Sequence, residues 1–209
     1  LMSENLLYDI ATLGELYFFT RSGGSTSKVI YTSVKEEHEK YVSVIKSGVN
    51  WIVVSSHQGF LNLESAATQC LKKPKVLVRV NPEVNVKAEI RASYKHGKFG
   101  VPFNTPSLDS ASVIVKKILD SENLEFEGFH FHLGSQITNP ICFANSIDKI
   151  ENFILKIRKE RPDFSPAVID IGGGTPVVYG MNVPSPGQIS LLVIEKLNSM
   201  VGRLGCPIK

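Results

Sequence analysis

Two rhythms of apolar and polar residues succeed one another along this chain. Short runs of near-consecutive apolar residues, Leu7-Tyr8-Asp9-Ile10-Ala11, Lys28-Val29-Ile30-Tyr31-Thr32, Trp51-Ile52-Val53-Val54-Ser55 and Lys75-Val76-Leu77-Val78-Arg79-Val80-Asn81, read as strands. Between them lie amphipathic stretches that read as helices. Thr12-Leu13-Gly14-Glu15 and Ser33-Val34-Lys35-Glu36 both have the Ser/Thr-x-x-Glu form, whose two side chains satisfy N–H groups left bare at a helix start. The first helix is predicted to run to about Arg21 and the second to stop near Gly48. A third passes through Phe60, Leu63 and Ala67 until Lys72-Lys73-Pro74, because proline cannot continue a helix. From Pro82 to Pro106 neither period persists, and a loop of that length in a compact domain usually serves function.

The rhythm then resumes with a helix over about Asp109–Leu119, a strand through Gly128-Phe129-His130-Phe131-His132-Leu133-Gly134-Ser135-Gln136, and a helix over about Asn145–Glu160. Ala167-Val168-Ile169-Asp170-Ile171 is a further strand and runs directly into Gly172-Gly173-Gly174. Ser185-Pro186-Gly187-Gln188 caps a last helix, which ends at Gly202 to Gly205, and Pro207-Ile208-Lys209 reads as the first residues of another strand. Six strand-helix units with nearly unbroken apolar strands predict an α/β fold with a parallel sheet under helices. Ser55, Asn81, Gly134-Ser135 and Gly172 to Gly174 follow four of the strands, which favours a barrel with its site at the strands' C-terminal ends over a doubly wound sheet. A closed eight-stranded barrel takes about 250 residues. At 209 residues this chain is therefore expected to be an incomplete (β/α)8 TIM barrel, a single domain with no linker dividing it.

Composition removes several function classes. With 43% apolar and 21% charged residues, the disordered and fibrous classes drop out. The net charge of +3 is spread along the chain, so neither nucleic acid nor a membrane surface is implied as partner. Cys70, Cys142 and Cys206 are odd in number and lack the spacing of a zinc site or disulfide framework, which suits a reducing cytoplasm. No apolar run approaches the roughly 18 residues of a membrane span. Leu1-Met2-Ser3-Glu4-Asn5 lacks signal-peptide character and does not resemble a natural beginning.

Candidate chemistry gathers at two strand ends. Strand alternation puts His130 and His132 on one face and Phe129, Phe131 and Leu133 on the other. The three glycines let backbone N–H groups approach an anion. A stacking imidazole beside a phosphate cradle is the expected arrangement, with His130 the structural member of the pair. A His-x-His pair could also place two imidazoles on one divalent cation, but His38, His57 and His96 offer no obvious third ligand, and no metal is expected. Asp9 and Arg79 have an alternative reading as a structural ion pair or barrel-interior polar groups.

These residues carry a resemblance. Asp9-Ile10-Ala11-Thr12-Leu13-Gly14-Glu15-Leu16, Arg79-Val80-Asn81-Pro82, Lys98-Phe99-Gly100-Val101, Gly128 to Gln136 and Asp170 to Gly174 stand in the order seen in the alanine-racemase-fold, pyridoxal-phosphate-dependent amino-acid decarboxylases, in the form typical of diaminopimelate decarboxylases. The resemblance implies pyridoxal 5'-phosphate as cofactor and decarboxylation of a basic amino acid, with meso-diaminopimelate to lysine foremost and ornithine, lysine or a D-amino acid as alternatives. A non-catalytic relative that binds the cofactor is a further alternative. By the same resemblance His132 stacks on the pyridine ring and Ser135 donates to the phosphate. Gly172, Gly173 and Gly174 offer it N–H groups, Asp9 lies near the cofactor, and Arg79 or Arg91 approaches it. A homodimer with shared active sites is implied as well.

The resemblance also assigns no bond-making residue to this chain. The lysine that carries the cofactor is expected on a strand before Asp9, and Lys98 is expected to be a solvated or structural residue. The last barrel strand and a C-terminal β-domain are expected beyond Lys209, so residues 1–209 read as the central barrel fragment of a longer enzyme, inactive alone. Thr175-Pro176-Val177-Val178-Tyr179 departs from the diaminopimelate pattern, and decarboxylases of other basic amino acids often carry Phe-Pro-Val there.

Overall fold

The computed structural model describes residues 6–86, 90–92, 97–180, 182–205 and 207–208. In chain order the elements are β1 Tyr8–Ile10, α1 Leu13–Arg21, a 3-10 turn Thr26–Lys28, β2 Val29–Tyr31, α2 His38–Lys46, β3 Trp51–Val54, α3 His57–Cys70, β4 Lys75–Arg79, β5 Ile90–Arg91, α4 Ala111–Leu119, β6 Glu125–His130, β7 Gly134–Ser135, α5 Ile141–Arg158, β8 Val168–Asp170 and α6 Pro186–Leu204. Hydrogen bonds order the main strands β1-β2-β3-β4-β6-β8, with β5 and β7 forming a separate antiparallel pair. The order follows the chain without the reversal that marks a doubly wound sheet. It is the winding of an incomplete (β/α)8 barrel, as the apolar pattern predicts. No strand forms at Pro207 and Ile208.

The described residues fall into two compact units, Leu1–Val78 with Pro106–Glu127, and Arg79–Thr105 with Gly128–Lys209. In the first, β1 to β4 pair in parallel, with Asp9 opposite Ile30, Ile30 opposite Trp51 and Val53 opposite Leu77. Val29, Ile52, Val54, Val76, Leu77 and Val78 have no accessible surface at all. Strands of a parallel sheet are covered on both faces, so they need apolar residues at successive rather than alternate positions. Each such side chain contributes roughly 1.5–3 kcal/mol by leaving water.

Two of the three predicted capping boxes form. The Thr12 hydroxyl accepts from Glu15 N at 3.1 Å while Glu15 Oε2 accepts from Thr12 N at 2.9 Å, and Ser185 and Gln188 repeat the exchange before α6. The middle box does not form. Ser33 turns its hydroxyl to Lys35 N, and the Glu36 carboxylate accepts instead from the Ser55 amide and the Ser56 hydroxyl just after β3. A carboxylate gains more from two donors at a neighbouring strand end than from one local amide. As a result α2 starts four residues later than that box would place it, at His38, with no side-chain cap from Glu37.

In the second unit β6 pairs with β8, Gly128 opposite Val168 and His130 opposite Asp170. A side chain at Gly128 would put its Cβ 1.9 Å from the Val168 carbonyl oxygen, so only glycine permits this pairing. Phe129 packs against Phe153 and Phe164, and Phe103 against Phe153, forming the aromatic floor of the unit. Gly100, at φ +74°, brings the Lys-Phe-Gly-Val segment onto the end of β4, where Asn81 N donates to Val101 O at 2.8 Å. Helices α5 and α6 are joined by Arg203, whose Nε and Nη2 donate to the buried Glu151 carboxylate at 2.6 and 2.7 Å.

Cys70 and Cys142 are free thiols, and Cys206 lies outside the described residues, as do His96 and the first five residues. No helix among the described residues is long and apolar enough to cross a membrane.

Candidate cofactor site

β6 ends at His130, so His132 lies two residues beyond the strand and alternation does not govern its direction. The ladder bond from Phe131 N to Asp170 O at 2.9 Å carries the pairing one residue past that end. His130 is 2% exposed, and its Nδ1 has no hydrogen-bond partner among the described residues. Burial, reinforced by the positive charge of Arg79 and then by His132, pushes its pKa down to about 3. The buried His130 ring is therefore uncharged near neutral pH. The apolar positions hold: Phe129, Phe131 and Leu133 are completely buried.

His132 is half-buried and meets the glycine segment directly. Gly173 N donates to His132 Nδ1 at 3.2 Å. The approach is made possible by Gly172 at φ +66°, where a Cβ would lie 2.5 Å from Phe131 O and 3.0 Å from His132 Nδ1. Gly174, at φ +102°, leaves no room either: its Cβ would lie 2.1 Å from the Gly134 carbonyl oxygen. Gly173 differs, since its Cβ would meet nothing nearer than His132 Cε1 at 4.0 Å, and it is exposed. The glycines therefore do two jobs. The outer two let the backbone close against the segment after β6, and the middle one presents an open backbone surface beside an imidazole.

The amide donors are partly committed within the protein. Gly172 N donates to Asp170 Oδ1 at 2.8 Å, and Gly173 N to His132, while Gly174 O accepts from Ile137 N at 2.9 Å. Ser135 is exposed on β7, opposite Ile90 of β5. A half-buried imidazole, an exposed hydroxyl and an exposed glycine amide, with one carboxylate oxygen of Asp170 taken up by Gly172 N, form a set suited to an aromatic ring bearing an anion. These residues fit pyridoxal phosphate.

Arg79 is buried at the end of β4 with its guanidinium 5.2 Å from the centre of the Phe99 ring, and the exposed Lys98 ammonium lies 5.1 Å from the same ring. Asp9 belongs to the first unit, where it accepts from the Thr32 hydroxyl at 2.7 Å. The side chain of Arg91 lies outside the described residues.

One residue without a role in the sequence reading stands out. Gln136 holds Val177 by both ends of its amide: Nε2 donates to Val177 O at 3.0 Å, and Oε1 accepts from Val177 N at 2.7 Å. Its place after Gly134-Ser135 marks it as close to the site, but its partner 41 residues away is invisible to local pattern.

Residues 1–203 match the family described as pyridoxal-dependent decarboxylase, pyridoxal binding domain. The diaminopimelate decarboxylase of Vibrio cholerae is 26% identical over 193 residues, which cover 91% of this chain and 45% of that protein. The Aquifex aeolicus enzyme of the same name is also 26% identical, with 94% of this chain and 46% of that protein covered. In structure, the diaminopimelate decarboxylase of Helicobacter pylori complexed with L-lysine superposes with a TM-score of 0.83 at 20% identity, covering 97% of this chain and 49% of that one. A lysine/ornithine decarboxylase of Vibrio vulnificus complexed with putrescine gives 0.74 at 25% identity, over 95% of this chain and 48% of that one. The chain thus spans about half the length of the relatives it matches.

Proposed function

This chain belongs to the pyridoxal-dependent decarboxylases, as their pyridoxal binding domain, and from that premise we propose that it holds pyridoxal phosphate for decarboxylation of a basic amino acid, meso-diaminopimelate to lysine before others. The observation that carries this reading is the 3.2 Å contact between Gly173 N and His132 Nδ1, which puts the imidazole and the three glycines side by side, with Ser135 three residues further along the same segment.

His132 would lay its ring against the pyridine, a contact of about 0.5–1.5 kcal/mol beyond simple burial. Ser135 would donate its hydroxyl to the phosphate. A phosphate dianion is a stronger acceptor than a neutral imidazole nitrogen, so it would compete with His132 Nδ1 for the Gly173 amide. When bound, the cofactor supplies an electron sink for the pair left behind as the α-carboxylate departs as carbon dioxide. The residues here bind and orient; none of them is assigned a bond-making step. Asp9 and Arg79 complete the proposed set as polar groups towards the cofactor, and residues 1–209 are proposed to be one barrel domain of a longer enzyme.

Diaminopimelate is placed first because the relatives are named for it and because the Gly128 to Gln136 motif has the form seen in those enzymes. The Thr175-Pro176-Val177 sequence favours the second reading, decarboxylation of lysine or ornithine, and the likeness to a lysine/ornithine decarboxylase supports it. Cytoplasmic placement and a homodimer with shared sites belong to the same proposal. To test it, the complete protein is loaded with pyridoxal phosphate, and carbon dioxide release and the visible spectrum are followed on adding meso-diaminopimelate, lysine or ornithine. Release with meso-diaminopimelate alone supports the first reading. Release only with lysine or ornithine selects the second, and no release with any of them overturns both.

A further inference from the structure

We propose that Gln136 is a positioning residue for the cofactor's phosphate, acting by locking the segment that leaves Gly172–Gly174; this rests on the reading that those glycines receive the phosphate. Three consecutive glycines have more backbone freedom than any other tripeptide, so ordering them carries a large entropic cost. Something must hold them. At the upstream end Asp170 Oδ1 takes Gly172 N, and His132 Nδ1 takes Gly173 N. At the downstream end Ile137 N donates to Gly174 O, and the side chain of Gln136 takes both backbone groups of Val177.

The two-pronged contact resembles the exchange between directly opposed residues of an antiparallel strand pair, with a side-chain amide standing in for one backbone. A glutamine amide offers one donor and one acceptor in a plane, and Val177 presents one acceptor and one donor, so the amide orientation is fixed by its partners. Leucine or methionine at 136 could supply neither hydrogen bond, and lysine only the donor. Gln136 also has φ +55°, a left-handed backbone that is disfavoured for a non-glycine residue. Such a conformation persists where the surroundings over-determine it, and here the Val177 clamp and the Ile137–Gly174 bond on the next residue do so. Val177, Val178 and Tyr179 are all exposed, and burial enters this stretch at Pro176 alone. Besides that and the Ile137 bond, Gln136 supplies the hydrogen-bonded fastening among the described residues.

The test separates phosphate from ring. Apo full-length protein, wild type, Gln136→Ala and Gln136→Glu, is titrated with pyridoxal phosphate and with pyridoxal, which lacks the phosphate, and Kd is measured for both. Two lost hydrogen bonds predict about tenfold weaker binding of pyridoxal phosphate to Gln136→Ala. Pyridoxal binding should change less than about twofold. Gln136→Glu keeps the acceptor for Val177 N but not the donor, so it should fall between, and it decides the matter should Gln136→Ala fail to fold. Equal weakening for both ligands, or none for either, overturns the inference. A wild-type protein with no preference for pyridoxal phosphate over pyridoxal would instead overturn the cradle reading on which it rests.

Discussion

Gly173 and His132, 41 residues apart in sequence, meet through a hydrogen bond in which the glycine amide donates to the imidazole Nδ1 at 3.2 Å. Because Nδ1 accepts, the neutral ring carries its proton on Nε2. One face of that ring is what the proposed site offers the pyridine. In the full-length protein His132→Ala removes both the ring and the acceptor, and should weaken pyridoxal phosphate binding by about tenfold or more. His132→Phe keeps an aromatic face and loses only the acceptor, so it should stay within about threefold of wild type. Cofactor titration of the two variants checks the order; equal losses would mean that stacking contributes nothing.

The glycines should separate by stability. Gly172→Ala and Gly174→Ala each force a Cβ into a carbonyl oxygen at 2.5 and 2.1 Å and place an L residue at positive φ. Each should cost about 2 kcal/mol or more of unfolding free energy. Gly173→Ala meets only van der Waals contact at 4.0 Å and should change stability by less than about 1 kcal/mol. Denaturant unfolding of the three variants measures this contrast directly.

Much of this arrangement was legible in the order of residues, and its limits have physical causes. The six parallel strands could be read because both-face burial demands unbroken apolar runs, as in Val76-Leu77-Val78. The Thr12 and Ser185 caps could be read because a capping box is a contact within four residues. Ser33 and Glu36 have the same spacing but fail to cap, since Ser55 and Ser56, brought near by β3, draw the carboxylate away. The proximity of His132 to the glycines followed from two strand ends expected at one rim. Its position just beyond the strand did not, because the ladder between β6 and β8 runs out after the Phe131 N to Asp170 O bond. The Gln136–Val177 clamp is a long-range side-chain contact with no periodic signature at all.

His130 should make the fold acid-sensitive. Its folded pKa, about 3, lies below the ordinary value of 6.5, so the unfolded chain binds the proton first. Its contribution is therefore fully present above about pH 6.5 and is lost as pH falls towards 3, by up to about 1.4 kcal/mol per pH unit. A His130→Leu variant lacks this titration. The stability of wild type relative to the variant should fall by roughly 2 kcal/mol between pH 6.5 and pH 5 in parallel chemical denaturations. A constant difference would place a charged imidazole in the folded state.

Glu36 should act in the opposite sense. Burial raises its pKa above the ordinary 4.5, and the hydrogen bonds from Ser56 and Ser55 offset this only in part. The folded protein then holds its proton to higher pH than the unfolded chain. Stability from this group is complete below about pH 4.5 and declines as pH rises through the folded value. Glu36→Gln removes the charge while keeping an acceptor for Ser55 N, so the variant should gain on wild type as pH rises across that window. Thermal melts of both proteins in matched buffers read the difference, and curves that stay parallel would contradict it.

The central claim is spatial: one pyridoxal phosphate is held between the imidazole of His132 and the backbone of Gly172–Gly174. Diffraction from the complete protein crystallised with pyridoxal phosphate tests it most directly. The account predicts the pyridine against His132, with the phosphate at Ser135 and the three glycines. Cofactor bound at full occupancy somewhere else, with these residues bare, would contradict it.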